Sequence, residues 1–516
     1  MGAYAIVRQE DFANARGEFE RFIEQLGADR AMAMRHDEVE RLAVAEGRRV
    51  ALAALQDHLA LRAVRESRQN RVEGADDVTR THIRPRTRGL LTILGPVKVE
   101  RLAYSARGTS SLAPLDAELN LPIELYSFEV RRVAAIEASK GSFDEAMATL
   151  GAMTGAPVPK RQIEELAARA AVDFEAFYKQ QPATPATAAD LLVLTFDGKG
   201  IAMLRKALRE ATRRADEERR HKLDKRLCKG EKKNKKRMAQ VAAVYDVAPF
   251  PRRPSEVVFD LKPEPGAKTR KRPRAQNKRV WASILRDPVD VVVDAFEEAE
   301  RRDPDHQRRW VALVDGNKTQ IDLIERCAKQ CGVEVTLILD VIHVLEYLWK
   351  AGLCFCKEGS SELEQWVTER LLRILEGHSS DVAGGINRSA TKRGLDANDR
   401  KNADACADYL IGYKEMLRYD EFLSDGLPIA TGVIEGACRH LIQDRMGRTG
   451  ARWGLDGAEA ILRLRSLRSS GDFDDYWRFH LEQEHRRNHA AHYAAMPTPS
   501  QEGRPKLRLV HGGASS

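Results

Sequence analysis

Three short apolar runs, each ending at an aspartate, constrain the fold of this chain most. The first, LLVLTFDGKG, leads through residues 191–196 into Asp197. The second, RWVALVDG, leads into Asp315, and the third, VEVTLILDVIH, ends in Asp340 and His343. A short continuous apolar run that is stopped by a turn signal predicts a buried strand. We therefore expect three strands that each place an acid at the carboxyl end.

Acids at the carboxyl ends of strands predict a ligand site, because ligands of α/β sheets gather there. A single Asp-Gly pair is a weak signal, since most such pairs are turns. The recurrence of the pattern gives it weight. Several carboxylates in one place form an oxygen-rich site suited to Mg²⁺ or Mn²⁺.

The order of the surrounding elements predicts an α/β fold with a mixed sheet. Two further strands are expected, at AQVAAVYDVAPF from Ala239 and at EVVFDL from Glu256. A helix is expected over residues 289–302, with Asp287 as N-cap and Pro288 in the first turn. The resulting order is β, β, β, α, β, α, β, with an antiparallel meander first.

The N-terminal third contains helices, a hairpin and a helix pair. Residues 12–71 have a helical pattern, and residues 88–104 predict a hairpin around Gly95-Pro96. A capping box at Ser142 starts one helix, and another starts near Pro159. This pair is either a helix-turn-helix that binds DNA or an ordinary helical hairpin. The residues proposed for DNA contact at the second helix are Lys160 and Arg161.

Positive charge is concentrated in one segment. The chain of 516 residues has a formal net charge of +8. Residues 199–238 contain 17 Lys or Arg against 6 Asp or Glu, a net of +11, so the remainder is about −3. Such a segment is either a solvated face or a phosphate-binding surface. Its candidates for DNA contact are Lys199, Lys232, Lys233, Lys235, Lys236 and Arg237.

Cysteine usage and hydropathy predict a cytoplasmic protein. No run approaches the ~18 apolar residues of a membrane span, and the first residues lack a secretory pattern. The seven cysteines are an odd number, typical of free thiols in a reducing compartment. A zinc site built from Cys327, Cys331, Cys354 and Cys356 is an alternative, although their spacing matches no common zinc motif.

A late helix adds a fourth acid. The segment ATGVIEGACRHLIQDRM predicts a helix from Ala430 that contains Glu435, with Arg439 four residues further on the same side. Carboxylates that hold two divalent ions can activate a water or hydroxyl for attack on a phosphodiester. Asp197, Asp315 and Glu435 are therefore candidate metal ligands and catalytic residues.

Several ordered motifs resemble the ISKra-type insertion-sequence transposase family. They span residues 89–493 and include LGPVKVERLAY, LNLPIELYS, DGKG, KKRMAQVAAVYDV, VDGNKTQ, LDVIHVLEYLW and GVIEGACRHLIQDRMGRTGARW. One departure is Leu94 at a hairpin position where the family pattern has Phe.

The resemblance implies a DDE transposase with a ribonuclease-H-like core. Asp197 matches the first acid and Glu435 the last. Asp315 is the preferred middle acid, Asp340 is its rival, and His343 is a possible further active-site residue. The implied cofactors are two Mg²⁺ or Mn²⁺ ions per site. Further implied DNA contacts are Lys318, Arg439, Arg445 and Arg452.

The implied partners are double-stranded DNA, as terminal inverted repeats and target, and a second copy of the chain in a dimer or higher oligomer. The implied location is the bacterial cytoplasm, at the nucleoid. The expected segments are a helical region (1–87), a hairpin and helix-turn-helix-like region (88–180), a first core part (190–345), a helical insertion (346–428), a final core part (429–496) and a disordered tail (497–516).

Two other functions fit the same residues. A catalytically inactive, sequence-specific DNA-binding protein on this scaffold would bind DNA without cutting it. A ribonuclease-H-like nuclease would use the same acids with water as the only nucleophile. Strand joining separates a transposase from both, because only there does a DNA 3′-hydroxyl attack.

Overall fold

The computed structural model describes residues 9–182, 187, 189–218, 235–261, 270–448 and 450–494. Lys232, Lys233 and the segment 497–516 lie outside the described residues. The chain divides into two compact units. The first comprises Met1–Asp173 with Asp475–Ser516, and the second comprises Phe174–Asp474.

The first unit combines helices with a long hairpin. Its helices are α1 (Ala13–Gly27), α2 (Asp29–Met32), α3 (His36–Val64), α4 (Pro114–Glu118), α5 (Phe128–Lys140), α6 (Phe143–Thr154) and α7 (Lys160–Ala170), with short 3₁₀ turns at Gln9–Phe12 and Ala490–His492. Its strands are β1 (Val72–Glu73), β2 (Thr79–Arg80), β3 (His82–Thr92) and β4 (Gly95–Ser105). The predicted hairpin is confirmed as β3 and β4, which pair antiparallel from Thr92 opposite Gly95.

The predicted helix pair is also confirmed in its local structure. The Ser142 hydroxyl accepts a hydrogen bond from the Glu145 amide at 3.1 Å, and the Glu145 carboxylate accepts one from the Ser142 amide at 2.5 Å. Gly155 ends α6 with a left-handed φ of +66°, a conformation that favours glycine. The next helix, α7, begins directly after Pro159.

The second unit is built on a mixed five-stranded sheet. Its strands are β5 (Leu191–Ala202), β6 (Lys236–Val247), β7 (Gln276–Ser283), β8 (Trp310–Val314) and β9 (Val335–Leu339). They lie in the order β7-β6-β5-β8-β9. The strand β6 pairs antiparallel with both β5 and β7, whereas β8 pairs parallel with both β5 and β9. The expected α/β fold with a mixed sheet and an early meander is therefore present.

Helices follow and flank these strands. They are α8 (Phe174–Gln180), α9 (Glu210–Glu217), α10 (Pro254–Leu261), α11 (Pro288–Arg302), α12 (Lys318–Cys331), α13 (Val341–Gly352), α14 (Ser361–Leu375), α15 (Ser379–Lys392), α16 (Lys401–Gly412), α17 (Tyr419–Ser424), α18 (Gly432–Ala437), α19 (Asp444–Met446) and α20 (Leu455–Ser470). The last helix, α21 (Phe473–Asn488), belongs from Asp475 onward to the first unit. Short 3₁₀ turns lie at Arg205–Ala207 and Lys414–Leu417, and a π-helical segment lies at Cys438–Gln443. Asp287 is the N-cap of α11, as predicted.

The third strand was predicted in the wrong place. EVVFDL belongs to α10, in which Pro254 is the first residue and the Glu256 carboxylate accepts a hydrogen bond from the Arg253 amide at 2.7 Å. These helix-start features outweigh the strand preference of the two valines. The third strand is instead β7, which begins at Gln276.

Burial explains why the apolar runs are continuous. All five residues of β8 and the first six of β5 are buried, because both faces of the central sheet are covered. Among the described residues, no helix is both long enough and apolar enough to cross a membrane.

Candidate active site

The strand register brings the first two candidate acids to the same level of the sheet. In the parallel pair β5 and β8, Thr195 lies opposite Leu313. Two residues further along the chain are Asp197, on β5, and Asp315, directly after β8. Residues at one level of a parallel pair have side chains on the same face. Continued by two residues, the register therefore places Asp197 and Asp315 at the same level of neighbouring strands.

Asp340 continues this row onto the next strand. In the parallel pair β8 and β9, Val314 lies opposite Leu339, and the next residues are Asp315 and Asp340. The Asp340 amide donates a hydrogen bond to the Val314 carbonyl at 2.8 Å, which extends the ladder by one residue. Three neighbouring strands thus place an aspartate at the same edge.

Asp197 does not end its strand, contrary to the prediction. The strand β5 continues to Ala202, because the antiparallel neighbour β6 pairs with its whole length, including Val241 opposite Asp197. Only the parallel neighbour β8 stops, at Val314. Asp197 therefore lies where parallel pairing ends, and it is half-buried.

Asp315 follows the last residue of β8 directly, as predicted. Its Oδ1 accepts a hydrogen bond from the Asn317 amide at 2.8 Å, which folds the turn into α12. Lys318 is the first residue of that helix and is exposed. An acid and a cation thus lie three residues apart at the strand edge.

Asp340 directly follows the last residue of β9, as predicted for the acid of this run, but its placement on the fifth strand together with His343 is corrected. Asp340 is the N-cap of α13 and accepts a hydrogen bond from the Ile342 amide at 3.0 Å, while His343 lies in the helix. The buried Asp340 carboxylate also accepts from the Thr431 amide at 3.3 Å and from the Thr431 hydroxyl. The strand therefore ends at Leu339, because the hydrogen bonds that Asp340 makes as a helix N-cap are more favourable than one further strand residue.

His343 is bound to the same carboxylate. Its Nδ1 lies 3.2 Å from Asp340 Oδ2. The pKa of His343 is raised, chiefly by this hydrogen bond and further by the charges of Asp340 and Asp315. His343 is therefore a cationic group among the acids over a wider pH range than an ordinary histidine.

Glu435 of α18 lies within electrostatic reach of this row. Its pKa is raised, first by partial loss of hydration and then by the charge of Asp340, while His343 opposes the shift. The charge of Asp197 raises the pKa of Glu435 further. The late helix predicted from sequence therefore returns Glu435 to the acidic edge of the sheet.

Cys438 is a site residue that the sequence analysis missed. Its buried thiol donates a hydrogen bond to Asp197 Oδ2 at 3.0 Å. Burial raises the pKa of this thiol, and the hydrogen bond and charge of Asp197 raise it further. A signal was present, because Cys438 is three residues after Glu435 and so shares its side of the helix.

The Glu435 helix contains an irregularity beside the site. Residues 438–443 form π-helical turns between α18 and α19. From α20, Arg465 donates a hydrogen bond to the Leu441 carbonyl at 2.9 Å and another to the His440 carbonyl. Burial lowers the pKa of Arg465 to about 10. Such π-helical turns occur frequently at functional sites.

Of the predicted cations near β5, two are well placed to meet solvent or a ligand. Lys199 is half-buried on β5, two residues after Asp197, and Lys236 is exposed at the start of β6. Lys235 forms an ion pair with Asp216 at 3.7 Å. Arg237 donates to the Ile284 carbonyl at 2.9 Å, so its guanidinium supports the backbone.

Of the three arginines predicted to contact DNA between residues 439 and 452, two are exposed and one is buried. Arg439 and Arg452 are exposed, although Arg439 also lies 3.8 Å from Asp444. Arg445 is buried, with its guanidinium 4.6 Å from the ring centre of Trp453, so it packs inside the unit.

In the first unit, both candidate DNA contacts of α7 are exposed and paired. Lys160 forms an ion pair with Asp144 at 2.9 Å, and Arg161 forms one with Glu165 at 3.1 Å. Pairs this exposed contribute little stability and can exchange for phosphate contacts.

The donor set is of the kind that suits Mg²⁺ or Mn²⁺, because carboxylate oxygens predominate. In the described part of the chain, however, no three Asp, Glu, His or Cys side chains are grouped closely enough to hold a metal ion. This applies to the acidic edge and equally to Cys327, Cys331, Cys354 and Cys356.

The chain matches no model of a known protein family, and no curated protein is similar enough to match it. Function must therefore be inferred from the acids, their register and the groups around them.

Proposed function

We propose that this protein is a DDE-type DNA transposase of the ISKra type, which cuts the ends of an insertion sequence and joins them to target DNA. The observation that supports it most is the register of Asp197 beside Asp315, with Glu435 coupled electrostatically to Asp197. Three carboxylates from two strands and a late helix are what this reaction requires.

We further propose that the sheet is a ribonuclease-H-like core. The support is the strand order. The antiparallel meander of β5, β6 and β7 lies on one side, and the parallel strands β8 and β9 lie on the other side of β5. The first acid, Asp197, then lies on β5, which is the first strand of this sheet in the chain. The second acid, Asp315, follows β8, which is the fourth. The helical segment 346–428 is an insertion between the fifth strand and the Glu435 helix.

Asp197, Asp315 and Glu435 are the residues that would hold two Mg²⁺ or Mn²⁺ ions. When bound, such ions activate the attacking oxygen and neutralise charge on the leaving oxygen. Burial is the main cause of the raised pKa of Glu435, and the charges of Asp340 and Asp197 raise it further. The contribution of these two charges supports the assignment, because a bound cation would offset their repulsion.

Asp315 rather than Asp340 is the proposed second catalytic acid. The Asp340 carboxylate is buried and accepts hydrogen bonds from Ile342, Thr431 and His343. Ligation of a metal would have to break several of these bonds. Asp315 is only half-buried, and its described hydrogen bond uses one carboxylate oxygen. Asp340 therefore has a positioning role.

Exposed cations near the acidic edge are proposed to bind the phosphates of double-stranded DNA. Lys199, Lys236, Lys318, Arg439 and Arg452 fit this role by exposure or by position. Lys160 and Arg161 are proposed to contact the terminal repeats. A homodimer or higher oligomer that pairs two DNA ends, acting at the bacterial nucleoid, completes the proposal by analogy with the family.

The test is cleavage and strand transfer on DNA that contains the element's own ends, with Mg²⁺. Asp197→Ala, Asp315→Ala and Glu435→Ala should each reduce both reactions by about 10³-fold or more. Asp322→Ala is the matched control, because Asp322 is exposed on α12 one turn beyond Lys318. It should behave like wild type.

The outcomes separate the three functions. Binding of the ends without any cleavage by wild type would favour a catalytically inactive DNA-binding protein. Hydrolysis without joining would favour a nuclease. Full activity of Asp315→Ala together with an inactive but stably folded Asp340→Ala would reverse the choice of the second acid.

A further inference from the structure

Two tyrosines of the helical insertion hold the backbone at the second acid. The Tyr409 hydroxyl donates a hydrogen bond to the Asp315 carbonyl at 2.9 Å. The Tyr413 hydroxyl donates one to the Gly316 carbonyl. The two tyrosines are four residues apart, so both rings lie on the same side at the end of α16. Consecutive carbonyls of the Asp315 turn are thus fixed from one direction.

Gly316 makes this close approach possible. Its φ is +93°, in the left-handed region that favours glycine. A Cβ atom at this position would lie 2.9 Å from Cε2 of Tyr409 and 3.3 Å from Cε2 of Tyr413. Any side chain would therefore push the turn away from the two rings.

The rings are themselves held in place by aromatic packing. Tyr347 of α13 stacks on Tyr409 with ring centres 4.1 Å apart and planes at 10°. Tyr413 meets Tyr409 edge to face at 5.2 Å. Tyr409 is buried. A side chain packed on two sides has few alternative rotamers, so its hydroxyl is directed at one place.

We propose that Tyr409 and Tyr413 are positioning residues that orient Asp315 for metal binding. The proposal rests on the proposed function, which makes Asp315 the second catalytic acid. It assigns the insertion a part in the active site, because α16 reaches the turn that follows β8. A ligand must be held within about 0.5 Å of its working position, which a free turn cannot ensure.

The test uses the full-length protein with Tyr409→Phe, Tyr413→Phe and the double variant. Each substitution keeps the ring and removes only the hydroxyl. Tyr347→Phe is the matched control, because it belongs to the same stack and its hydroxyl has no hydrogen bond among the described residues. Melting temperatures confirm that each variant is folded.

Three measurements are made on each variant. The first is Mn²⁺ affinity by electron paramagnetic resonance without DNA. The second is amide hydrogen exchange of residues 311–318. The third is the Mg²⁺ concentration needed for half-maximal cleavage. In the double variant, we expect Mn²⁺ affinity to fall by about 10-fold or more, exchange to accelerate and the Mg²⁺ requirement to rise. Tyr347→Phe should change none of them.

Wild-type values for all three measurements in the double variant would overturn the proposal, as would an equal effect of Tyr347→Phe. Failure of the proposed function has a different signature. In that case wild type neither binds Mn²⁺ at this site nor cuts DNA, while hydrogen exchange of the turn still responds to loss of the two hydroxyls. Unchanged exchange in the double variant counts against the tyrosines whatever the protein does to DNA.

Discussion

The thiol of Cys438 donates a hydrogen bond to Oδ2 of Asp197 across 3.0 Å. This contact joins the helix of Glu435 to the central strand, between residues 241 positions apart in sequence. Burial and the neighbouring carboxylate both raise the pKa of the thiol. The reactivity of Cys438 therefore reports on the charge at position 197.

Asp197→Asn should accelerate alkylation of Cys438. Removal of the carboxylate charge lowers the pKa of the thiol, so a larger fraction is thiolate at pH 8 and reacts. The rate is measured with iodoacetamide in metal-free protein, by mass spectrometry of the peptide that contains Cys438. Asp315→Asn is the control, because Asp315 is not among the groups that shift this thiol. Equal rates in wild type and Asp197→Asn would show that the two side chains are not coupled.

Asp340→Ala should destabilise the second unit much more than Asp315→Ala. Loss of the N-cap of α13 costs about 1 kcal/mol, and the unpaired Thr431 amide and hydroxyl add about 1–3 kcal/mol. Asp315→Ala should change the free energy of unfolding by less than about 1 kcal/mol, since its carboxylate caps only a turn. Urea unfolding of both variants measures the difference. Equal destabilisation would contradict the positioning role of Asp340.

Much of the sheet could be predicted because its strands are buried on both faces. Continuous apolar runs such as residues 191–196 and 310–314 have few structural alternatives to a buried strand. The third strand could not be found in this way, because only the second half of β7 is buried. EVVFDL had the stronger strand propensity but forms α10. In this segment, helix capping and packing outweigh the intrinsic strand propensity.

The candidate acids could be predicted, but their supporting residues could not. Asp197 and Asp315 adjoin strands that are visible in sequence. Cys438 and Tyr409 depend on contacts that span 241 and 94 residues. No local pattern encodes such contacts, because they arise only when the insertion and the late helix pack on the sheet.

Cleavage should fail on the acidic side at a higher pH than for an ordinary glutamate. The pKa of Glu435 is raised, so its carboxylate is protonated, and lost as a ligand, earlier as the pH falls. His343 opposes this shift. His343→Asn should therefore raise the pKa of Glu435 further and move the acidic limb of the pH–rate profile to higher pH.

The control for this pH shift is His440→Asn. His440 is exposed on the helical stretch that contains Glu435 and pairs with Asp444 at 3.1 Å. It is not among the groups that shift the pKa of Glu435, so its replacement should leave the acidic limb in place. An acidic limb that moves to lower pH in His343→Asn would show that the histidine does not act on Glu435 by its charge.

Lys318→Ala should weaken DNA binding, whereas Lys329→Ala should not. Both lysines are exposed on α12, a helix of 14 residues, at its first and third-last positions. About 16 Å of helix separates them, because each residue adds about 1.5 Å. Lys318 is next to Asp315 and at the positive end of the helix, where a phosphate is favoured. Lys329 is at the far end.

The salt dependence of binding identifies the contact. Removal of one phosphate contact should reduce the slope of log K against log salt concentration by about 1, with little change in sequence preference. Fluorescence anisotropy on labelled element ends, over a series of salt concentrations, measures the slope for wild type and both variants. An unchanged slope in Lys318→Ala would place the DNA elsewhere. An equal reduction in Lys329→Ala would indicate a general charge effect, because a DNA backbone bound at the acidic edge contacts the near end of α12 and not its far end.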